Sequence, residues 1–502
     1  MEINTIQDIL KNNALEVPNK ICCVFPRDNE SKLTYKELDQ KSNKFAEILQ
    51  KKKIKKGNKI LVLTTNIPES LIAYYGLLKL GAVLVNVKFD STEEDIKDLI
   101  QKTGSPLLIY EDQFKELTSK INIPKIGLRT EDEDINIDYQ SIEGINKEFP
   151  ELSEDDEVIV LYTSGSTGLP KGSILTHKNF ISTAKSMIER NLFQKGDKVY
   201  CVQPLYYIDQ VIFIHTPFLL QGTSYIAPKF SRSNFWKDIK KYNINYVSTV
   251  PVMQRILLTK EDDEHKDHSL RLMVSTGQHL PIELQEKVES TYNVKLVDGY
   301  GMTEGTGFST FNYLDEKRKK GSIGKPLSCC EHKIIDKEGN TLPENKIGEI
   351  MLKGHNQIKG YLNDKESTKE LFDKEGWIHT GDLGYYDKEG FYYLVGRLKN
   401  LIIKGGENIS TLEIEDLINK HPKITDSCAV PIPDDIYGEE IGCIAIKKDE
   451  DCTEEEIKEY CLKKKGKLKT PKKVFFAPEI PKTSSGKHDL VKVKEMVLSL
   501  IS

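Results

Sequence analysis

Leu161 to Gly172 reads L-Y-T-S-G-S-T-G-L-P-K-G, and the reading of this stretch decides the rest of the chain. The β-branched piece Val158-Ile159-Val160 precedes it and Ser173-Ile174-Leu175 follows, so it reads as a loop leaving the end of a strand. Gly165, Gly168 and Gly172 free the backbone to turn its N–H groups inward. Thr163, Ser164, Ser166 and Thr167 add small hydroxyl donors, and Lys171 adds one mobile positive charge. Such a loop suits a polyphosphate. It is not the G-x-x-x-x-G-K-[S/T] phosphate loop, because Pro170 precedes the lysine and Gly172 follows it. A glycine/serine surface loop is the plain alternative, and the order of strand, interleaved hydroxyls and glycines, then Pro-Lys-Gly speaks against it.

A second motif, Val297-Asp298-Gly299-Tyr300-Gly301-Met302-Thr303-Glu304, has glycines at 299, 301 and 305. That spacing is G-x-G-x-x-x-G, which is wrong for a dinucleotide fingerprint. Its Glu304 suits a hard divalent cation, which typically needs only one or two protein carboxylates when it bridges phosphates. Further along stand Thr380-Gly381-Asp382, then Gly396-Arg397-Leu398-Lys399, Lys404-Gly405-Gly406-Glu407-Asn408, and Pro481-Lys482-Thr483-Ser484-Ser485-Gly486-Lys487. A carboxylate such as Asp382 only accepts hydrogen bonds and so matches a pair of sugar hydroxyls. Gly405-Gly406 lets a backbone approach a ligand closely, with a plain β-turn as the alternative.

Together these motifs resemble those of the adenylate-forming (AMP-dependent) acyl-CoA synthetase superfamily, and the resemblance runs over nearly the whole chain. It implies an ATP-dependent acyl-CoA ligase, with ATP, Mg²⁺ and CoA as its cofactors and a small carboxylic acid as its partner. It implies that Tyr300 stacks on adenine, Thr303 bonds the α-phosphate, Glu304 holds Mg²⁺, and Asp382 and Arg397 contact the ribose. Lys487 is implied as the catalytic lysine, beside Thr303 and Glu304. Its continuation His488-Asp489-Leu490 departs from the apolar residue and arginine that the family usually shows. Lys399 is implied as a hinge, and Gly405, Gly406 and Glu407 as the lid loop near the pantetheine channel. Ser275-Thr276-Gly277-Gln278-His279-Leu280 occupies the family's S-G-G-x-P-L position, placing Gly277, Gln278 and His279 with Asp298, Gly299 and Met302 in the nucleotide site. Pro204-Leu205-Tyr206-Tyr207-Ile208-Asp209-Gln210 occupies its P-L-[F/Y]-H position, with Tyr207 replacing the usual histidine and joined by Gly301 in the acid pocket. The run from Phe230 to Trp236 is faintly similar to carnitine- and crotonobetaine-type CoA ligases. Loading of a carrier-protein phosphopantetheine and a catalytically silent nucleotide-binding homologue remain as alternatives.

The chain has 502 residues, 38% of them hydrophobic and 30% charged, with net charge −5. Such a near-balance offers no basic surface for nucleic acid, and no apolar run approaches the roughly 18 residues that span a membrane. Met1-Glu2-Ile3-Asn4 lacks a secretory pattern, so a cytoplasmic location is expected. Nine cysteines without a C-x-x-C read as reduced thiols rather than a zinc site.

In chain order, Thr34-Tyr35-Lys36-Glu37 is a capping box for a helix carrying Leu38, Phe45 and Leu49 on one face. Lys59 to Thr64 predicts a strand, Pro68 opens a helix, Gly81 closes it, and Ala82 to Val87 is a second strand. This β-α-β unit predicts parallel pairing, and its pattern recurs through Leu107–Tyr110, Lys198–Val202, Tyr246–Ser248 and Leu272–Val274. From Gly348, short β pieces predict a β-subdomain that includes Gly360-Tyr361. The predicted class is α/β: an N-terminal adenylation domain over residues 1–398 with parallel α/β subdomains and a β-subdomain. A small α+β C-terminal lid covers residues 399–502.

Overall fold

The computed structural model describes residues 3–129, 148–164, 170–259, 265–315, 317–483 and 487–501. The capping box forms as expected: the Thr34 hydroxyl accepts the Glu37 N–H at 3.1 Å, and the Glu37 carboxylate accepts the Thr34 N–H at 2.8 Å. Tyr35–Lys51 then runs as a helix with Leu38, Phe45 and Leu49 buried. Pro68 opens the helix Pro68–Leu80, and Gly81, at φ 64°, caps it in the left-handed region. That helix is apolar all round because it is buried almost completely.

The strand Lys59–Leu63 on one side of this helix pairs parallel with Val83–Asn86 on the other, so the predicted β-α-β unit is present. It belongs to a seven-stranded sheet that also holds the parallel strands Leu108–Glu111 and Lys125–Leu128. Glu157–Ser164 joins this sheet parallel to Val83–Asn86, and Pro170–Thr176 returns antiparallel beside it. The described ends of the signature stretch, residues 161–164 and 170–172, are therefore paired antiparallel strands. A phosphate loop that opens a helix would have sent the chain across the sheet face instead. At the far edge, Gly360–Tyr361 pairs antiparallel with Ser173 and Ile174. The expectation that Gly360-Tyr361 belongs to the β-subdomain is corrected here, since its hydrogen bonds go to the hairpin.

A nine-stranded sheet carries the second motif. Tyr246–Thr249, Leu272–Ser275 and Lys295–Tyr300 run parallel in it, so the strand ends at Ser275 and Tyr300 open on the same edge of the sheet. One large apolar cluster spans both big sheets, including Phe45, Tyr75, Phe213 and Phe308. A four-stranded antiparallel sheet follows, and it begins earlier than expected, at Cys330–Ile335 rather than Gly348. Its strands Ile378–Tyr386 and Tyr392–Arg397 place Asp382 directly opposite Arg397.

After Arg397 a three-ten turn, Leu398–Asn400, leads into Leu401–Lys404, the first strand of the C-terminal sheet. This small domain has its own cores, one under the helix Thr411–Asn419 and one under the helix Leu490–Ile501. The architecture is thus a large N-terminal α/β domain and a small C-terminal one. Among the described residues no helix is long and apolar enough to cross a membrane.

Candidate functional site

The second motif is shaped first by packing. A Cβ on Gly301 would lie 2.3 Å from the Gly307 carbonyl oxygen, and one on Gly299 would lie 2.6 Å from the Phe311 ring. Both glycines are needed so that the chain can fold back on itself, with the N–H groups of Gly305 and Gly307 donating to the Met302 carbonyl. This turn holds Thr303 and Glu304 at the end of the strand Lys295–Tyr300.

Tyr300 and Arg397 converge on one carboxylate. The Tyr300 hydroxyl donates to Asp382 Oδ2 at 2.8 Å, and Arg397 Nε donates to Asp382 Oδ1 at 2.7 Å. Asp382 is 2% exposed, while the Arg397 side chain stays about half exposed, so the pair presents a cationic face over a buried acceptor. The Asp382 charge raises the Arg397 pKa against the opposing effect of burial. Burial, with Asp382 beside it, pushes the Tyr300 phenol well above its ordinary value.

Glu304 is buried and accepts a hydrogen bond from the Tyr361 hydroxyl at 2.8 Å. The Lys171 ammonium lies 5.4 Å from the centre of the Tyr361 ring. Tyr361 therefore links the lysine of the first motif to the glutamate of the second. Sequence reasoning missed this residue because its two partners stand 57 and 190 positions away; no local pattern marks it. The expectations for Gly165, Ser166, Thr167 and Gly168 lie outside the described residues, as do the side chains of Thr163 and Ser164.

Lys487 arrives from the C-terminal domain. Its Cε is 3.9 Å from where a Cβ on Gly277 would stand, and Gly277 has φ 74°. Desolvation, with Arg397 nearby, lowers the Lys487 pKa, and Asp382 and Asp209 oppose that shift without reaching ion-pair distance. Lys399 is likewise lowered by burial and then by Arg397. Gly277, Asp382, Arg397 and Lys487 thus meet between the domains. Beside them His279 Nε2 faces Asp416 Oδ2 of the C-terminal domain at 3.1 Å. Burial works against its imidazolium, yet Asp416, with Asp298 and Glu415 behind it, raises its pKa. Desolvation, only partly offset by His279, pushes the pKa of the half-buried Asp298 up to about 7. The Gln278 N–H donates to the Thr276 carbonyl at 2.9 Å.

Not every expected residue joins this group. Gly405 and Gly406 form the tight turn between Leu401–Lys404 and Glu407–Ser410, with φ 58° and 88°. The Gly405 N–H donates to the Tyr437 carbonyl, and Glu407 is exposed. Among the described contacts none carries Gly405, Gly406 or Glu407 to Lys487. Tyr207 packs on Tyr206, ring centres 4.6 Å apart, and Tyr206 packs edge-on to Phe89.

The donor set fits a nucleoside triphosphate with Mg²⁺. Glu304 offers a hard oxygen ligand with the Thr303 hydroxyl adjoining, and Arg397 lies within electrostatic range of it. Lys171 adds positive charge on the hairpin side.

Comparison with known proteins gives the family. Residues 10–362 match the AMP-binding enzyme family and residues 413–487 match the AMP-binding enzyme C-terminal domain. The chain belongs to the AMP-binding enzyme family. It is similar to an oxalate–CoA ligase of Arabidopsis thaliana, 30% identical over 97% of each chain. A crotonobetaine/carnitine–CoA ligase of Proteus mirabilis is 32% identical over 90% of this chain and 91% of its own. Among solved structures, ATP-bound MatB of Rhodopseudomonas palustris shares the fold with a TM-score of 0.90 at 24% identity, covering 100% of each chain. The o-succinylbenzoate CoA synthetase of Bacillus subtilis with ATP and magnesium ion has a TM-score of 0.85 at 26% identity, covering 97% of this chain and 99% of that one.

Proposed function

We propose that this chain is an ATP-dependent acyl-CoA ligase. It activates a carboxylic acid as its acyl adenylate and then passes the acyl group to the thiol of CoA. The observation that carries this reading is the meeting of Lys487 with Gly277, Asp382 and Arg397, alongside the Lys171–Tyr361–Glu304 chain. The names of its relatives, which are CoA ligases, support the thiol acceptor.

In the first half-reaction a carboxylate oxygen attacks the α-phosphorus of ATP, and the bond to pyrophosphate breaks. Negative charge builds where two anions meet, and Lys487 and Arg397 stabilise it from fixed positions. Asp382 holds the ribose hydroxyls and keeps Arg397 in place. Thr303 donates to the α-phosphate, Lys171 with the hydroxyls and glycines of the Thr163–Gly168 sequence serves the outer phosphates, and Tyr361 orients Glu304. Glu304 would hold Mg²⁺, which supplies neutralising charge to the phosphates when bound. In the second half-reaction the CoA sulfur attacks the acyl carbon, and AMP departs with the carboxyl oxygen.

The two domains divide at 398/399, and Lys399 is the hinge about which the C-terminal domain turns between the half-reactions. The arrangement described above, with Lys487 inside and Gly405-Gly406 outside, is the posture for adenylation. Rotation brings Gly405, Gly406 and Glu407 to the site for thioester formation. Tyr207 and Gly301 border the acid.

The test is product analysis with purified protein, ATP and Mg²⁺ over fatty, aryl, short-chain and betaine acids, with and without CoA. Acid-dependent pyrophosphate and AMP, with turnover requiring CoA, is the expected result. Release of ADP and phosphate would refute adenylation, and turnover with a phosphopantetheinyl protein but not CoA would move the acceptor.

A further inference from the structure

Asp209 lies in the first turn of the helix Ile208–Phe218, directly after Tyr206 and Tyr207. Its carboxylate accepts hydrogen bonds from Gln210 Nε2 at 3.0 Å and from Thr276 Oγ1 at 3.3 Å. Thr276 adjoins Gly277, the residue against which Lys487 is lodged. Asp209 thus stands within electrostatic reach of Lys487, on the side from which an acid would meet that lysine, and its residue keeps partial exposure.

The surroundings of this carboxylate are unusual in charge. Among the described residues its side-chain donors, Gln210 and Thr276, are both neutral, and Gln210 is itself wholly buried and turned to Gln203. Burial raises the Asp209 pKa, opposed by those side-chain hydrogen bonds and by the backbone N–H groups of Gln210 and Asp209 itself. Among the described residues no cation stands at ion-pair distance from it, the Lys487 ammonium acting on it only from farther off; such a desolvated carboxylate is costly, and a cation brought by a ligand offsets that cost. The neighbouring wall is aromatic: Tyr207 and Tyr206 pack together, and Phe89 meets Tyr206 with ring centres 5.0 Å apart. Asp90, exposed beside Phe89, adds a second negative charge acting on both tyrosines. Carboxylates and tyrosine faces are what an ammonium or quaternary ammonium group binds.

We propose that Asp209, with the Tyr206–Tyr207 wall, selects an acid that carries a cationic group, so that the substrate is a small zwitterionic carboxylic acid. This inference rests on the ligase reading above. The same carboxylate repels an acid with a second anionic group, and it leaves an aliphatic acid of equal shape without a partner for the buried charge.

The experiment compares three acids matched in length: 4-(trimethylammonio)butanoate, its neutral isostere 5,5-dimethylhexanoate, and glutarate. Each is assayed for kcat/KM of pyrophosphate release alongside the wider acid panel. The cationic acid is expected to exceed the neutral one by about tenfold or more, a typical worth of a desolvated cation–carboxylate and cation–π contact. Asp209→Asn should bring that ratio towards one, and Asp209→Lys should turn the preference towards glutarate. A purely structural role for Asp209 would depress all three acids together. A preference for the neutral or dianionic acid, or a ratio that survives Asp209→Asn, overturns the inference and leaves the ligase standing. So does turnover of panel acids of which none is cationic. Pyrophosphate release from no acid at all overturns both.

Discussion

Lys487→Ala separates the two half-reactions. The lysine keeps its solvent exposure at the domain boundary, its pKa is lowered by desolvation and by Arg397, and its nearest attractive charges lie beyond ion-pair distance. In the empty enzyme the ammonium is therefore a cost to folding. For a lysine whose folded pKa is depressed, the unfolded chain binds more protons between the folded value and the usual value near 10.4, so stability rises with pH through that window. Lys487→Ala should not lower the melting temperature at pH 7, and the parent should close any gap to the variant as pH rises past about 10. The loss appears instead in the transition state. Removing one preorganised donor to a developing anion costs about 10²–10³ in rate, or roughly 3–4 kcal/mol. Two single-turnover assays read it: pyrophosphate release from acid plus ATP should fall by that factor, while CoA attack on a supplied acyl adenylate should change only a few-fold. Equal losses in both, or a sharp fall in melting temperature, would show that Lys487 acts through folding or a shared binding step.

Three further outcomes follow from other contacts. Asp382→Ala strands the buried Tyr300 hydroxyl and frees Arg397; because Arg397 is half exposed, we expect a loss of about 1–3 kcal/mol by urea denaturation together with weaker ATP binding in calorimetry. Lys399→Pro suits the φ range of the three-ten turn Leu398–Asn400, so folding and adenylation should persist while thioester formation from supplied adenylate slows at least tenfold; equal rates in both assays would remove the hinge. The raised pKa of His279 means that its bond to Asp416 is fully present below the unfolded value near 6.5 and is lost as pH rises through the folded value. Hydrogen exchange in the helix Thr411–Asn419 should therefore quicken towards alkaline pH beyond its intrinsic rate, and Asp416→Asn should flatten that dependence.

Much of this fold was legible because its signals are local. Thr34 and Glu37 sit three residues apart, Pro68 and Gly81 bracket one helix, and both show in a short window of sequence. The glycines of the second motif were legible only as the wrong spacing for a dinucleotide fingerprint; the close approach to the Gly307 carbonyl that demands Gly301 was not. What stayed hidden is pairing at long range. Gly360-Tyr361 looks like any short β piece, and its assignment to the hairpin edge depends on hydrogen bonds to Ser173 and Ile174 nearly two hundred residues earlier. The His279–Asp416 contact is hidden for the same reason, since it exists only when two domains meet. Motif resemblance reached further than periodicity for the site itself, because it names residues by role rather than by neighbourhood.

The edge pairing of Gly360–Tyr361 sets a limit on how this protein can be cut. A fragment ending before residue 360 would keep the hairpin, the second motif and most of the apolar core, and would pass for a complete nucleotide-binding unit by sequence. It would also leave Pro170–Thr176 with a bare row of N–H and carbonyl groups, an invitation to pair with another copy of the same fragment. Any minimal version intended for expression, fusion or display therefore has to extend past Tyr361, and insertions between Gly354 and Gly360 risk a one-residue slip that would turn Tyr361 away from Glu304.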